Sequence, residues 1–287
     1  MARIAIIGGG SIGEALLSGL LRAGRQVKDL VVAERVPERA KYLADTYSVL
    51  VAPVADAVDN ASFVVVAVKP ADVEQVMGEV SRVAAAAESD TAEQVFVTVA
   101  AGVTIAYFES RLPAGAPVVR AMPNAAALVG AGVTALARGR FVTPAQLEEV
   151  SALFDSVGGV LTVPESQMDA VTALSGSGPA YFLLMVEALV DAGVAAGLTR
   201  RVATDLAAQT MAGAAAMLLE RLDSDAQPAV DRLPDATPAQ LRATVTSPGG
   251  TTAAALRELE RGGLRVAVDA AVQAAKNRSE QLRITSE

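Results

Sequence analysis

The chain has 287 residues, 52% of them hydrophobic and 3% aromatic, with a formal net charge of −8. That length can build one large domain or two ordinary ones, and the acidic balance with few aromatics argues against a nucleic-acid binder, which needs a basic face and stacking rings. The absence of cysteine and histidine excludes disulfides, thiolate nucleophiles, Cys-ligated zinc, Ser-His triads and most transition-metal sites.

In chain order, residues 3–7 form a short β-branched run that predicts a strand. The turn Gly8-Gly9-Gly10-Ser11-Ile12-Gly13 follows and opens a helical pattern to about residue 23. No signal-peptide layout precedes this strand. No uninterrupted apolar run of about 18 residues occurs either, since Glu187 and Asp191 break the most apolar helix, so a cytoplasmic protein without a membrane partner is expected. Further strands are predicted at residues 30–33, 48–51, 63–68 and 95–99, with helices at 37–47 and 71–87 between them. Strands near 117–120, 133–137 and 160–163 complete the set. Alternation at this spacing predicts a parallel, doubly wound sheet over residues 1–165. Beyond it the strand signals vanish, and residues 166–287 read as an all-α domain with helices at 179–196, 199–222, 238–244, 252–260 and 264–282. Residues 223–238, with three prolines, read as a loop. The helices are apolar all round, which favours burial against a second subunit.

Gly8-x-Gly10-x-x-Gly13 by itself is a weak signal. Here it follows a strand and opens a helix, and Glu34 lies about 20 positions on at the end of the second strand, the context a dinucleotide fingerprint requires. Ser11 and Ile12 fall within the same turn. Glu34 suits the two ribose hydroxyls of NAD, whereas Arg35, with Arg39 a turn further on, can pair with the 2′-phosphate of NADP. NADPH is favoured and NADH stays open. Val68-Lys69-Pro70 and Val99-Ala100-Ala101-Gly102 sit at the carboxyl ends of the fourth and fifth strands, where ligands bind in such sheets, and the small residues of the second turn leave room for a flat nicotinamide ring.

Two further stretches read as helix starts with exposed amides. One is Ser175-Gly176-Ser177-Gly178-Pro179. The other is Ser247-Pro248-Gly249-Gly250-Thr251-Thr252, where Thr251 or Thr252 can serve as N-cap. A helix start with bare amides and a positive dipole end suits a carboxylate.

At these residues the chain resembles the pyrroline-5-carboxylate reductase family over essentially its full length. The matching motifs are GGGSIG from Gly8, AVKP from Ala67, VAAG from Val99, RAMPN from Arg120, DAVTALSGSGPAY from Asp169 and TVTSPGGTTAAAL from Thr244. The resemblance implies a Rossmann-type domain, a helical domain that interlocks with a partner subunit, an active site completed across that homodimer, and assembly of five dimers into a decamer. It implies that Gly8, Gly10, Ser11, Ile12, Gly13, Val68, Lys69, Pro70, Val99, Ala100 and Ala101 line the dinucleotide. Ser247, Gly249, Gly250, Thr251 and Thr252 would hold the imino acid, with Thr252 nearest the ring nitrogen, beside Ser175, Gly176 and Gly178. Glu165 and Asp235 would border the pocket. Two positions depart from the family: Glu34, where many relatives carry a short polar residue, and Val54, where an Asn often contacts the cofactor.

The implied reaction suits a chain without histidine. A cyclic imine can be protonated before or as it binds, so the protein supplies position and electrostatics rather than a strong acid. A β-hydroxyacid dehydrogenase would need a proton-transferring lysine in the interdomain helix, and residues 175–222 contain none. A related imine reductase and a non-catalytic nucleotide-sensing dimer are the remaining alternatives. The second has no need of two anion-cradling helix starts.

Overall fold

The computed structural model describes residues 3–86, 94–225 and 237–284. They fall into two compact units, Met1–Pro179 with Val272–Glu287, and Ala180–Ala271. Residues 166–179 and the C-terminal end, grouped with the helices on sequence alone, pack with the sheet. Met168 is fully buried in its core, and Asp169 is paired to Arg283.

The first unit is built on eight strands: β1 Ile4–Ile7, β2 Leu30–Ala33, β3 Leu50–Val51, β4 Phe63–Val66, β5 Val95–Thr98, β6 Val118–Met122, β7 Gly132–Arg138 and β8 Gly158–Thr162. They pair in the order β3-β2-β1-β4-β5-β6-β7-β8. The helices between them are α1 Ser11–Arg22, α2 Pro37–Tyr47, α3 Val54–Val58, α4 Val73–Ala86, α5 Ile105–Glu109 and α6 Pro144–Asp155, and α7 Met168–Val171 follows β8.

Strands β1, β2, β4 and β5 are buried at every position, so they read as unbroken apolar runs, as expected when helices cover both faces. The period of two still sorts their side chains. Ala5, Ile7, Val31, Val64 and Phe96 enter one core with α3, α4 and α5, while Ile4, Ile6, Leu30, Val65 and Val97 enter the other with α1, α2 and α6.

Two strands, β7 and β8, depart from the parallel expectation and run opposite to the other six. β7 runs antiparallel to β6 and parallel to β8. Only a short 3-10 turn, Ala125–Val129, separates β6 from β7, and a parallel return needs a crossover of roughly a dozen residues or more.

The second unit is helical. α8 Gly178–Ala195 enters it from the first unit, α9 Arg200–Asp225, α10 Thr237–Thr244 and α11 Thr251–Arg261 follow, and α12 Leu264–Gln281 leads back out. Of the loop expected at 223–238, residues 223–225 continue α9 and 237–238 begin α10. The remainder, Asp235 included, lies outside the described residues. Among the described residues, Val190 and Ala203 are the buried apolar side chains of this unit, while Phe182, Leu183, Leu184, Leu206 and Leu219 are exposed in the single chain. By length and composition alone, two stretches are apolar enough to cross a membrane, Glu165–Ala195 and Arg200–Leu222, despite their scattered charges.

Candidate active site

β1 and β4 are sheet neighbours although β2 and β3 intervene in sequence, so the winding reverses there and leaves a crevice at their carboxyl ends. It forms a cavity of about 460 Å³ whose lining includes Gly8, Gly10, Glu34, Arg35, Val68 and Lys69. Gly8 has φ +105°, and a Cβ there would lie 2.8 Å from the Ala67 carbonyl oxygen. A Cβ on Gly13 would lie 2.0 Å from the Gly8 carbonyl oxygen, so only glycine lets α1 pack this close to the turn. At Gly10 a Cβ would meet nothing within 4 Å, and that side of the turn is open.

Gly10 is also the N-cap of α1 and has no side chain to satisfy the helix start. The amides of Ser11, Ile12 and Gly13 therefore have no partner among the described residues, the first intrahelical bond being Glu14 N–H to the Gly10 carbonyl at 2.8 Å. Free amides at the positive end of a helix, beside an open gap, fit the pyrophosphate of a dinucleotide.

Both carboxylate oxygens of Glu34 are engaged. One accepts from the Gly9 amide at 2.9 Å and the other from the Val36 amide at 2.8 Å. Arg35 is exposed at the cavity rim with a long 3.4 Å pair to Asp72. Arg39, which the sequence offers beside Arg35 for a 2′-phosphate, is committed elsewhere: its Nε donates to the Gly9 carbonyl at 2.7 Å and its guanidinium pairs with Glu14. Glu14 also accepts from Tyr42 at 3.0 Å and Tyr47 at 2.8 Å. Burial works to raise the Glu14 pKa, but the bonds from Arg39, Tyr47 and Tyr42 and the Arg39 charge hold it below the ordinary glutamate value. The carboxylate in the first turn of α1 is thus neutralised by Arg39 beside the expected phosphate position. Burial, then the bond to Glu14, pushes the Tyr47 phenol up to about 12.

Lys69 is exposed and has no ion-pair partner among the described residues, and Pro70 starts the 3-10 turn before α4. Val54 lines the same cavity. Past β5, Ala100 is buried and Ala101 exposed, and the Ala100 amide donates to Thr98 Oγ1 at 3.2 Å. The Val99–Gly102 turn is backed by the end of the chain, with Ile284 N–H donating to the Gly102 carbonyl at 2.7 Å. Glu165 Oε1 accepts from the Ile105 amide at 2.7 Å and pairs with buried Arg120 at 3.4 Å, so it caps α5 as well as standing near this turn. Next to it, buried Asp169 binds Ser279 Oγ at 2.7 Å and Arg283. Burial works to raise the Asp169 pKa, while the Arg283 and Ser279 bonds and the Arg283 and Arg120 charges hold it below the ordinary value. Sequence reasoning passed over this group, although an arginine inside the apolar run of β6 signals a buried ion pair.

The Ser175–Pro179 stretch is not a free helix start. Residues Thr172–Gly176 form a π-helical turn between α7 and α8, and the Ser177 amide donates to the Thr172 carbonyl at 2.9 Å. Gly176 ends that turn, Ser177 bends, and α8 starts at Gly178, so the glycines flank the junction of a π-helical turn with a helix, a geometry frequent at functional sites. Gly176 packs against Met122, where a Cβ would lie 2.6 Å from its Cε, and the Ser175 hydroxyl oxygen is buried without a partner among the described residues.

In the second unit, α11 starts at Thr251 with Gly250 as N-cap and no side-chain cap, not with a threonine cap. Gly249 has φ +71° and Gly250 is extended, so the backbone itself makes the turn. The Gly250 amide donates to the Ser247 carbonyl at 3.0 Å, which leaves the amides of Thr251, Thr252 and Ala253 free among the described residues. Thr252 is half-buried and its hydroxyl has no partner there.

Residues 165–282 match the family described as pyrroline-5-carboxylate reductase dimerisation, and residues 3–102 match the family described as NADP oxidoreductase coenzyme F420-dependent. The pyrroline-5-carboxylate reductase of Mycobacterium tuberculosis (strain ATCC 25618 / H37Rv) is 80% identical over 291 aligned positions, covering 100% of this chain and 99% of the relative. The solved pyrroline-5-carboxylate reductase of Coxiella burnetii is 34% identical with a TM-score of 0.87, covering 99% of both chains. That of Plasmodium falciparum, solved with NADP bound, is 26% identical with a TM-score of 0.80, covering 98% of both.

Fold and cleft define an oxidoreductase that works with a nicotinamide dinucleotide. Its helical part is a dimerisation region, which makes the enzyme a homo-oligomer. The chain belongs to the pyrroline-5-carboxylate reductase family, enzymes of proline biosynthesis that reduce the C=N bond of a cyclic imino acid.

Proposed function

We propose that the chain reduces 1-pyrroline-5-carboxylate to L-proline in the cytoplasm with NADPH as preferred reductant. The observation that carries this reading is the pair of glycine-capped helix starts, α1 and α11, each presenting free amides with no competing side-chain oxygen. One suits a pyrophosphate and the other a carboxylate.

The bound dinucleotide supplies the hydride. The α1 amides and the gap at Gly10 hold its pyrophosphate, while Val68, Pro70 and Val99 to Ala101 give the nicotinamide a flat wall. The Thr251 and Thr252 amides grip the imino-acid carboxylate, and the Thr252 hydroxyl hydrogen-bonds the ring nitrogen. Ser175, Gly176, Gly178 and Glu165 border the pocket, which the homodimer completes. Five such dimers form the decamer the family likeness implies. The imine arrives protonated from water, so no histidine is needed.

The preference for NADPH follows from Glu34 and Arg35. Each Glu34 oxygen already serves a backbone amide, which weakens its claim on two ribose hydroxyls, while Arg35 has only an exposed, long pair to give up for a 2′-phosphate. Oxidation of NADPH and NADH is followed with pyrroline-5-carboxylate, beside a hydroxyacid run in reverse with NADP. No turnover of the imine sinks the reading. Arg35→Gln raises the KM for NADPH roughly tenfold or more and that for NADH less than twofold; equal shifts would remove Arg35 from cofactor choice.

A further inference from the structure

We propose that the segment Ser279 to Ile284, anchored on Asp169, is a positioning strap that holds the Val99–Gly102 turn in the shape that receives the nicotinamide. The inference rests on the reading that this turn lines the cofactor.

The strap touches the turn through main-chain groups. Ile284 N–H donates to the Gly102 carbonyl at 2.7 Å, and the Ile284 carbonyl accepts from the Thr104 amide and hydroxyl, both at 3.4 Å. Val103 and Ile284 form a parallel bridge that extends the backbone pairing past the end of β5. Gly102, in the left-handed region at φ +77°, lies so close that a Cβ would be 2.6 Å from the Leu282 carbonyl oxygen. The turn is thus pinned at Gly102, next to its exposed residue Ala101.

The anchor is buried and charged. Asp169, 3% exposed, binds Ser279 in the last turn of α12 and Arg283 within the strap. A buried carboxylate left without its arginine would be strongly destabilised, so the pair fixes where the chain end lies. From there the path to the cofactor turn is short: Arg283 precedes Ile284, Ile284 holds Gly102, and Gly102 follows Ala101. Glu165 ties the other flank by accepting from the Ile105 amide, the first residue of α5. Two carboxylates from one helical stretch therefore brace both ends of residues 102–105. These residues position the turn without touching the reacting atoms.

The test uses full-length Ile284→Pro, which deletes the amide bonded to Gly102, and Asp169→Asn, which keeps the shape but removes the charge. NADPH affinity is measured by isothermal titration, steady-state constants are determined for both substrates, and hydrogen exchange is followed at residues 99–105. Both variants are expected to weaken NADPH binding and raise its KM roughly three- to tenfold, with the imine KM changed less than twofold and exchange at 99–105 accelerated. Faster exchange with unchanged NADPH affinity would reduce the strap to a structural tie and overturn the proposal, as would unchanged exchange. Ala101→Glu distinguishes the two failures. Wild-type NADPH affinity in that variant removes the turn from the cofactor site and the proposal with it. Lost affinity there, with normal affinity in Ile284→Pro, overturns the strap alone.

Discussion

At the start of α11 the choice of cap decides what the loop can do. A serine or threonine cap would fill the helix start with its own oxygen, whereas Gly250 leaves the Thr251 and Thr252 amides open to a ligand. Thr252→Ala is therefore expected to lower kcat/KM for the imine by about 10²- to 10³-fold, the loss typical of one transition-state donor, while NADPH affinity measured by titration stays as in the unaltered chain. Thr252→Ser, which keeps the hydroxyl, retains most activity, and equal activity of the alanine variant would remove Thr252 from the reaction. The loop was legible from SPGGTT, but its cap was not. Both threonines have good capping propensity, and only the left-handed backbone at Gly249 moves the role to Gly250. Arg39 was misassigned for a similar reason: sequence spacing puts it near Arg35, while its partner Glu14 lies on another helix and is visible only in three dimensions.

Among the elements, strands β1, β2, β4, β5 and β6 were readable because burial on both faces demands β-branched and aromatic runs. Direction was harder to read, as β7 shows, since it depends on the connection and not on the strand. Helix α6 went unassigned although Thr143-Pro144-Ala145-Gln146 spells a capping box, which the structure forms in full. The ion pair between α7 and the residue two beyond α12 has a consequence for acid stability. The Asp169 pKa is lowered in the fold, so its contribution is fully present above the ordinary value of 3.8 and is lost as pH falls through the lowered one. Urea unfolding of Asp169→Asn should show a deficit of about 1.5–3 kcal/mol at neutral pH that closes in the acid range below 3.8. A deficit constant down to the acid limit would mean that packing, not charge, holds the pair.

Across the whole molecule, the near-total exposure of α8 and α9 in one chain is incompatible with a stable isolated subunit, because helices draw most of their stability from tertiary packing. The dimerisation family covers both helices, and a second copy packed on their apolar surface is the expectation, although composition alone would also pass a membrane span. Leu206→Glu on α9, placing a charge where an apolar contact is expected, should shift the sedimentation mass from oligomer to monomer and abolish turnover with it. An unchanged mass would put the interface elsewhere. That the C-terminal part is helical and meets a partner was legible from its composition. Its limits were not, because Asp169 and Arg283, more than a hundred residues apart, belong together only after folding.

The same separation bears on synthesis. The sheet unit draws on both the first 179 residues and the last stretch from Val272, with the helical unit between them. A growing chain emerges in order, so the subunit-binding helices leave the ribosome before the residues that back the Val99–Gly102 turn. Pairing of subunits can begin before those residues are made, and a chain stalled ahead of them would carry its dimerisation helices beside a turn that is not yet backed.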